Sequence, residues 1–266
     1  VYPALAVAEC LAAEHDDVLF IGTPQGLEAR LAPDAGVAFR GLGARGFDRA
    51  RPWTLLTSSA RIVASAVKAW SWMGADCPDV VIGFGGYVSI PVGIAAVLRG
   101  VPLVLHEQNS VPGLANRFLS RWARAVGATY GESTLLFSHP ERAEVTGNPV
   151  RPAVLAADRA AGRRALGLPD DALVLLVFGG SRGARHLNSA LVGLRERLVD
   201  IPGLRVVHVA GKLEVEAVKS ALDGAGGDAH GRWLVLDYVD DMGSALAAAD
   251  LVVARAGATS IAEITA

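Results

Sequence analysis

Residues 79–107 read DVVIGFGGYVSIPVGIAAVLRGVPLVLHE. Two apolar runs, DVVIGF (79–84) and PLVLHE (102–107), bracket a glycine turn and a stretch with helical patterning. A run that is apolar throughout, rather than alternating, suits a strand buried on both faces. Two such strands joined through a helix lie parallel, so this segment predicts one unit of a doubly wound α/β sheet. The same pattern continues on both sides. DVLFIG (17–22), VAFRGL (37–42) and AEVTG (143–147) belong to the same series. A second series follows: LVLLVFG (173–179), RVVHVAG (205–211), RWLVLDYV (232–239) and DLVVARA (250–256). Helical patterns such as GLANRFLSRWAR and RHLNSALVGLRERLV fill gaps between them.

The proline-marked stretch GNPVRPAV (147–154) separates the two series and predicts domains over 1–148 and 149–266. An internal echo fits two related halves. DVVIGFGGYVSI from Asp79 and DLVVARAGATSI from Asp250 share an aspartate, an apolar strand, a small-residue turn and a Ser-Ile helix start. With 266 residues, 52% of them hydrophobic, each half can bury its own core. A formal net charge of −2 argues against bulk nucleic-acid binding. Cys10 and Cys77 have no metal-ligand spacing and read as buried thiols of a reducing cytoplasm. No apolar run approaches the roughly 18 residues of a membrane span. The chain opens on a helical pattern without Met and stops inside another, so it reads as a fragment missing both termini.

Three places send a strand through small residues into a helix: GFGGYVS, FGGSRGA and RAGATS. Glycine admits a ligand close to the backbone, and the helix beyond offers unpaired N–H groups and a positive dipole end. Together they predict phosphate binding. The P-loop pattern is absent, because Leu213 follows Gly211-Lys212. GLGARG (41–46) matches a dinucleotide fingerprint as a string, but FDRARPW follows it instead of a helix. No D-x-D pair occurs, so no metal site and no cofactor is expected. Neutralisation falls to helix dipoles and to Arg151, Arg182, Arg185 and Arg255. HEQN (106–109) follows a strand at its carboxyl end, where ligands of parallel sheets gather, and Asn148 and Arg151 sit at the domain junction.

Two stretches read in more than one way. Gly179-Gly180-Ser181-Arg182-Gly183 spells a hydrolase nucleophile elbow, which would require an acid and then a histidine downstream. His208 lies inside an apolar strand and reads as a packed side chain; His230 lies in a glycine-rich loop. The region 45–72 mixes Arg45, Arg49, Arg51, Arg61 and Lys68 with Trp53, Leu55, Leu56, Trp70 and Trp72. It suits an interfacial helix on anionic lipid, yet Leu56, Ala60, Val63, Val67 and Trp70 keep a spacing that suits a core face.

GFGGYVSIP, PLVLHEQNSVPGLANR, VTGNPVRP, VFGGSRGARHLN, YVDDM and RAGATSIAE, in this order, resemble the MurG family of cell-wall glycosyltransferases across essentially the whole chain. The resemblance implies the GT-B fold, two Rossmann-like domains with parallel sheets facing a cleft: an acceptor- and membrane-facing amino domain and a UDP-sugar-binding carboxyl domain. It implies transfer of N-acetylglucosamine from UDP-N-acetylglucosamine to the C4 hydroxyl of a lipid-linked N-acetylmuramyl pentapeptide, with inversion and no metal. Residue by residue it implies donor contacts by Asn109, Arg151 and Ser181, and a backbone contact to uracil by Val239. Ala258, Thr259, Ser260, Ile261, Ala262 and Glu263 would hold diphosphate and ribose, with Glu263 on the ribose hydroxyls. Gly85, Gly86, Tyr87 and Glu107 would face the acceptor. The family's first glycine-rich loop and its histidine would precede Val1, and donor-sugar glutamines would follow Ala266. The 45–72 region would rest on the anionic inner membrane, from the cytoplasmic face. Arg182 departs from the glutamine of many members. Alternatives are another GT-B transferase or UDP-sugar epimerase, a sugar-nucleotide-binding module without activity, and a serine hydrolase using Ser181.

Overall fold

The computed structural model describes residues 1–43, 54–179, 184–224 and 231–266. They form two compact units, Val1–Arg151 and Pro152–Ala266. The first runs α1 (Tyr2–Ala13), β1 (Leu19–Gly22), α2 (Glu28–Asp34), β2 (Ala38–Gly41), α3 (Thr54–Asp76), β3 (Val81–Gly83), α4 (Gly86–Arg99) and β4 (Leu103–Glu107). It continues α5 (Leu114–Leu119), β5 (Ala125–Ala128), α6 (Gly131–Thr134), a short 3₁₀ turn and β6 (Ala143–Val145). The second runs α7 (Pro152–Leu155), α8 (Arg159–Ala165), β7 (Leu173–Phe178), α9 (Arg185–Gly193), α10 (Arg195–Val199) and β8 (Leu204–Val209). It ends α11 (Val215–Gly224), β9 (Trp233–Leu236), α12 (Met242–Ala248), β10 (Leu251–Ala254) and α13 (Ala258–Thr265).

Every strand pairing among the described residues is parallel. The first unit holds β1 beside β2 and a four-stranded sheet in the order β3-β4-β5-β6. The second holds one sheet in the order β10-β7-β8-β9. Numbered from the start of its unit, that is strand order 3-2-1-4, with its reversal between β7 and β10.

Period-two alternation explains why β7 reads as unbroken apolar sequence. Leu175 and Val177 join Val206, Leu191, Val218 and Leu222 in one core. Val174, Leu176 and Phe178 join Val207, Val209 and Ala245 in the core on the other face. A charged cluster ties the helices to this sheet. The Asp250 carboxylate, at the start of β10, accepts the Val174 N–H at 2.8 Å and pairs with Arg159 and with the buried Arg163. The Val174 N–H, then the arginines, hold that carboxyl below its usual range. Gly162 lets α8 lie directly on α12: a Cβ there would stand 2.2 Å from the Ser244 carbonyl oxygen.

Several sequence expectations change. β5 (AVGA) has no strand signal of its own, being short and rich in Ala and Gly; its place between β4 and β6 makes it a strand. The helix expected over 185–199 breaks at Leu194, giving α9 and α10. Both cysteines are exposed rather than buried. Cys10 lies away from the Leu5–Ala6–Ala8 face of α1, and Cys77 lies beyond α3. On α3 the Val63–Val67–Trp70 stripe is not the core face: Val63 and Val67 are each 62% exposed, whereas Ser65, Ala69 and Met73 are buried.

His208, 0% exposed in the middle of β8, is a core histidine. Its Nε2–H donates to Asn188 Oδ1 (3.0 Å), while Asn188 Nδ2 donates to the Ala210 carbonyl (2.9 Å). The bond fixes the neutral tautomer, with Nδ1 buried and unpartnered among the described residues. Burial lowers its pKa to about 4 from 6.5. A group depressed in the folded state contributes stability above its unfolded pKa and loses it as pH falls toward the folded one. Stability should therefore drop by about 3 kcal/mol as pH falls from 6.5 to 4. Urea unfolding at pH 7 and pH 4.5 should show that loss in the native protein and a clearly smaller one in His208→Leu.

Candidate functional site

In the first unit the polar groups gather beyond the carboxyl ends of β3 to β6. Gly85 closes β3 and caps α4 with φ +79°, a conformation that favours glycine, and no side chain caps the helix. The first-turn N–H groups of α4 thus have no side-chain cap, and Tyr87 in that turn is exposed. Next in the sheet, β4 ends on Glu107, which is 2% exposed. Its Oε1 accepts the Asn109 backbone N–H (3.0 Å) and Asn109 Nδ2 (2.8 Å). Its Oε2 accepts the Gly113 N–H (3.0 Å) and Asn116 Nδ2 (2.9 Å).

This corrects the expected role of Glu107. Four donors use its lone pairs inside the protein, so it cannot face an acceptor substrate; it shapes the loop that follows β4. Asn109 is exposed, and the bond from its Nδ2 to the carboxylate fixes the orientation of its carboxamide. His106 makes the second tie. Its Nε2–H donates to the Gly147 carbonyl (3.0 Å), and Gln108 Nε2 lies 2.9 Å from Nδ1. Burial, opposed by the Gly147 bond and by Glu107, pushes its pKa below the usual range. The bond joins the HEQN loop to the GNPVR stretch, and the Arg151 guanidinium stacks 4.7 Å over Tyr2.

In the second unit the strand reversal between β7 and β10 defines the crevice. The turn after β7 leads into α9, and the turn after β10 leads into α13. Ala184 caps α9 and Gly257 caps α13, neither with a side-chain bond. By contrast, Asp158 and Asp241 cap α8 and α12, each accepting an N–H at 2.8 Å and 3.0 Å respectively. Among the described residues no side chain caps the helices at the reversal, and a helix N-terminus of that kind suits an anion. Ala258 to Glu263 form the opening turns of α13. Val239 lies beyond β9, at the opposite edge of the sheet from β10, its side chain against the core. Ser181, with Gly180, Arg182 and Gly183, lies outside the described residues, as does His230.

Among the cations, Arg185 pairs with Glu214 at 3.2 Å, and Arg255 follows β10 in the turn before α13. Among the described residues no group of three or more His, Cys, Asp and Glu side chains could hold a metal. His208 cannot serve a serine triad, since it is buried and bound to Asn188. Asn116 and Asn188, which hold these loops, were not singled out from sequence. Their signal was available: a carboxamide at the buried face of an otherwise apolar helix is there to bond backbone. Another unheralded feature is the set of exposed apolar side chains on and flanking α5, Val111, Leu114, Phe118 and Trp122, with the Arg121 guanidinium 5.5 Å over Phe118.

Two units of parallel strands joined by helices, with ligand-side turns at the carboxyl ends of the strands, have the architecture of the GT-B fold. Residues 1–128 match the glycosyltransferase family 28 N-terminal domain and residues 174–266 its C-terminal domain. The UDP-N-acetylglucosamine–N-acetylmuramyl-(pentapeptide) pyrophosphoryl-undecaprenol N-acetylglucosamine transferase of Desulforudis audaxviator is 42% identical over all of this chain and 72% of its own length. The crystal structure of Acinetobacter baumannii MurG superposes with a TM-score of 0.68 at 31% identity, covering 99% of this chain and 71% of that one. UDP-GlcNAc 2-epimerase from Neisseria meningitidis shares the fold, with a TM-score of 0.64 at 14% identity, over 95% of this chain and 74% of that one. The chain belongs to the MurG family of glycosyltransferases.

Glu107→Gln replaces an acceptor-only group by one that brings two donors into a ring of four donors. It should cost about 2–4 kcal/mol and lower Tm by several degrees. Scanning calorimetry checks this; a Tm unchanged within a degree would remove Glu107 from its structural role.

Proposed function

We propose that this protein transfers N-acetylglucosamine from UDP-N-acetylglucosamine to the C4 hydroxyl of an undecaprenyl-pyrophosphoryl-N-acetylmuramyl pentapeptide. The observation that carries the reading is identity of 42% over the full chain to a transferase of that name. The strand reversal beside two uncapped helices gives it a physical basis.

The acceptor oxygen attacks C1 of the sugar from the face opposite the diphosphate, the C1–O bond breaks, and UDP departs with inversion. The developing charge sits on the diphosphate, so the protein acts by positioning and by electrostatic stabilisation of that group. In this reading the N-termini of α9 and α13 face the diphosphate, each contributing ~0.3–2 kcal/mol, and Arg151 adds a cation. Asn109 and Ser181 donate or accept hydrogen bonds to the donor; Ser181 forms no covalent intermediate. Val239 meets uracil through its backbone, and Glu263 takes the ribose hydroxyls. The Gly85-Gly86-Tyr87 turn faces the acceptor.

The protein docks on the anionic cytoplasmic face of the membrane through α3. Support comes from the exposed Val63, Val67 and Trp70 beside Arg61, Lys68 and Arg99, whose guanidinium lies 3.5 Å over Trp70. Residues 45–53 of the expected surface lie outside the described ones. No helix among the described residues is long and apolar enough to cross a membrane.

Radiolabelled UDP-N-acetylglucosamine mixed with a lipid-linked muramyl acceptor should yield labelled disaccharide lipid. Glu263→Ala should weaken UDP binding roughly 10-fold by calorimetry, as expected for a lost ribose hydrogen-bond pair; unchanged affinity would remove Glu263 from the ribose. Vesicles containing phosphatidylglycerol should sediment the protein, and Val67→Glu should release it. Equal sedimentation of the two proteins would exclude α3 as the contact.

A further inference from the structure

Arg151 is the cation that the reaction proposed above brings to the donor's diphosphate, and its surroundings in the first unit show what aims it. Its backbone lies between Pro149 and Pro152, and a residue that precedes proline is confined to extended conformations. Upstream, the Gly147 carbonyl accepts the His106 Nε2–H at 3.0 Å, which fastens the approach to Arg151 onto the end of β4. A fastened backbone does not aim a long side chain. Ordering the torsions of an arginine costs entropy that some contact must offset.

Tyr2 supplies such a contact. The Arg151 guanidinium carbon stands 4.7 Å from the centroid of the Tyr2 ring, within the distance at which an aromatic face attracts a cation. The two residues come from opposite ends of the first unit, Val1–Arg151. Tyr2 is itself held. It opens α1 with Pro3 beside it in the first turn, and its side chain packs against the core of Leu5, Ala8, Ala32 and Val37. Tyrosine has only two side-chain torsions, so packing on a core makes it a rigid platform.

The kind of contact matters. A carboxylate would hold a guanidinium through its charge and cancel much of that charge. An aromatic face attracts the guanidinium without neutralising it, so the positive charge still acts on an anion. Where a leaving diphosphate must be stabilised, support of this kind orients the cation before the reaction and leaves its field intact.

We propose that Tyr2 is a positioning residue: its ring holds the Arg151 guanidinium where it meets the diphosphate of the sugar nucleotide. The inference rests on the role given to Arg151 above. Calorimetric titration of the full chain with UDP, run as a double-mutant cycle, tests it. Arg151→Ala should weaken binding roughly 10-fold or more. Tyr2→Leu should weaken it roughly threefold to 10-fold, and should cost nothing further in the Arg151→Ala background. Tyr2→Phe keeps the ring and should stay within twofold of the native protein. In steady-state kinetics the Tyr2→Leu loss should appear in KM for UDP-N-acetylglucosamine, with KM for the lipid-linked acceptor within twofold.

UDP affinity of Tyr2→Leu within twofold of the native protein would overturn the proposal. So would a loss of equal size in the Arg151→Ala background, or equal losses in Tyr2→Phe and Tyr2→Leu, since a Tyr2 that only supports the core acts with or without Arg151. Should Tyr2→Leu fail to fold, Tyr2→Met fills the space with an unbranched, adaptable chain and is read by the same criteria. Unchanged UDP affinity in Arg151→Ala would remove Arg151 from the donor, and this inference with it. The cycle needs no turnover. A protein that shows the expected coupling yet transfers nothing would defeat the reaction proposed above and still support this inference.

Discussion

Burial of β7 on both faces is the constraint from which the second unit follows. A strand covered above and below, and paired on both edges, exposes only its ends. Its neighbours β8 and β10 are parallel to it, so each connection must cross a face as a helix and return to the same end of the sheet. The chain leaves β7 through α9 and α10 toward β8 and leaves β10 through α13, so both exits lie at the strand reversal. The crevice is thus a consequence of topology, and the residues at its rim need only be small and leave their helix N-termini uncapped. Gly257 meets this requirement, whereas Asp158 and Asp241 cap helices that have no such task.

Within that frame, a few buried polar groups hold loops that hydrophobic packing cannot aim. The carboxylate of Glu107 gathers four N–H groups from one loop and helix, which fixes Asn109 in the loop after β4. His106 ties that loop to Gly147, and the Asn188–His208 pair fastens α9 to β8. Asp250 and Arg163 clamp α8 against the ends of β7 and β10. The buried Glu107 carboxylate and the buried Arg163 guanidinium each have several partners, the condition under which burying a charge is tolerable, whereas the neutral His208 ring has the one bond to Asn188.

Much of the candidate site was legible as strings, because binding turns in this fold are local: a strand end, small residues and a helix start lie within about a dozen residues. HEQN, GNPVR and RAGATS could be found that way. What they do was less legible. Glu107 looks in sequence like a substrate contact and is a buried fastener. Val63, Val67 and Trp70 keep core spacing yet face outward, because the opposite stripe of α3, Ala69 and Met73, meets α4. Helical periodicity marks two apolar faces equally well when both sides of a helix carry them, and it does not say which one finds a neighbour.

The sequence by itself determined the α/β class, the two series of parallel strands and the glycine turns, since these rest on local propensity and on the periodicity of apolar residues. It also carried enough residue-by-residue likeness to indicate the family. Only the tertiary structure decided the strand order β10-β7-β8-β9, the existence of β5, the outward face of α3, and which polar groups are satisfied. Those depend on contacts between residues far apart in the chain: AVGA becomes a strand because β4 and β6 flank it, and Asp250 finds the Val174 N–H across 76 residues of sequence. No local pattern encodes such a contact, because its energy appears only when both partners have been brought together.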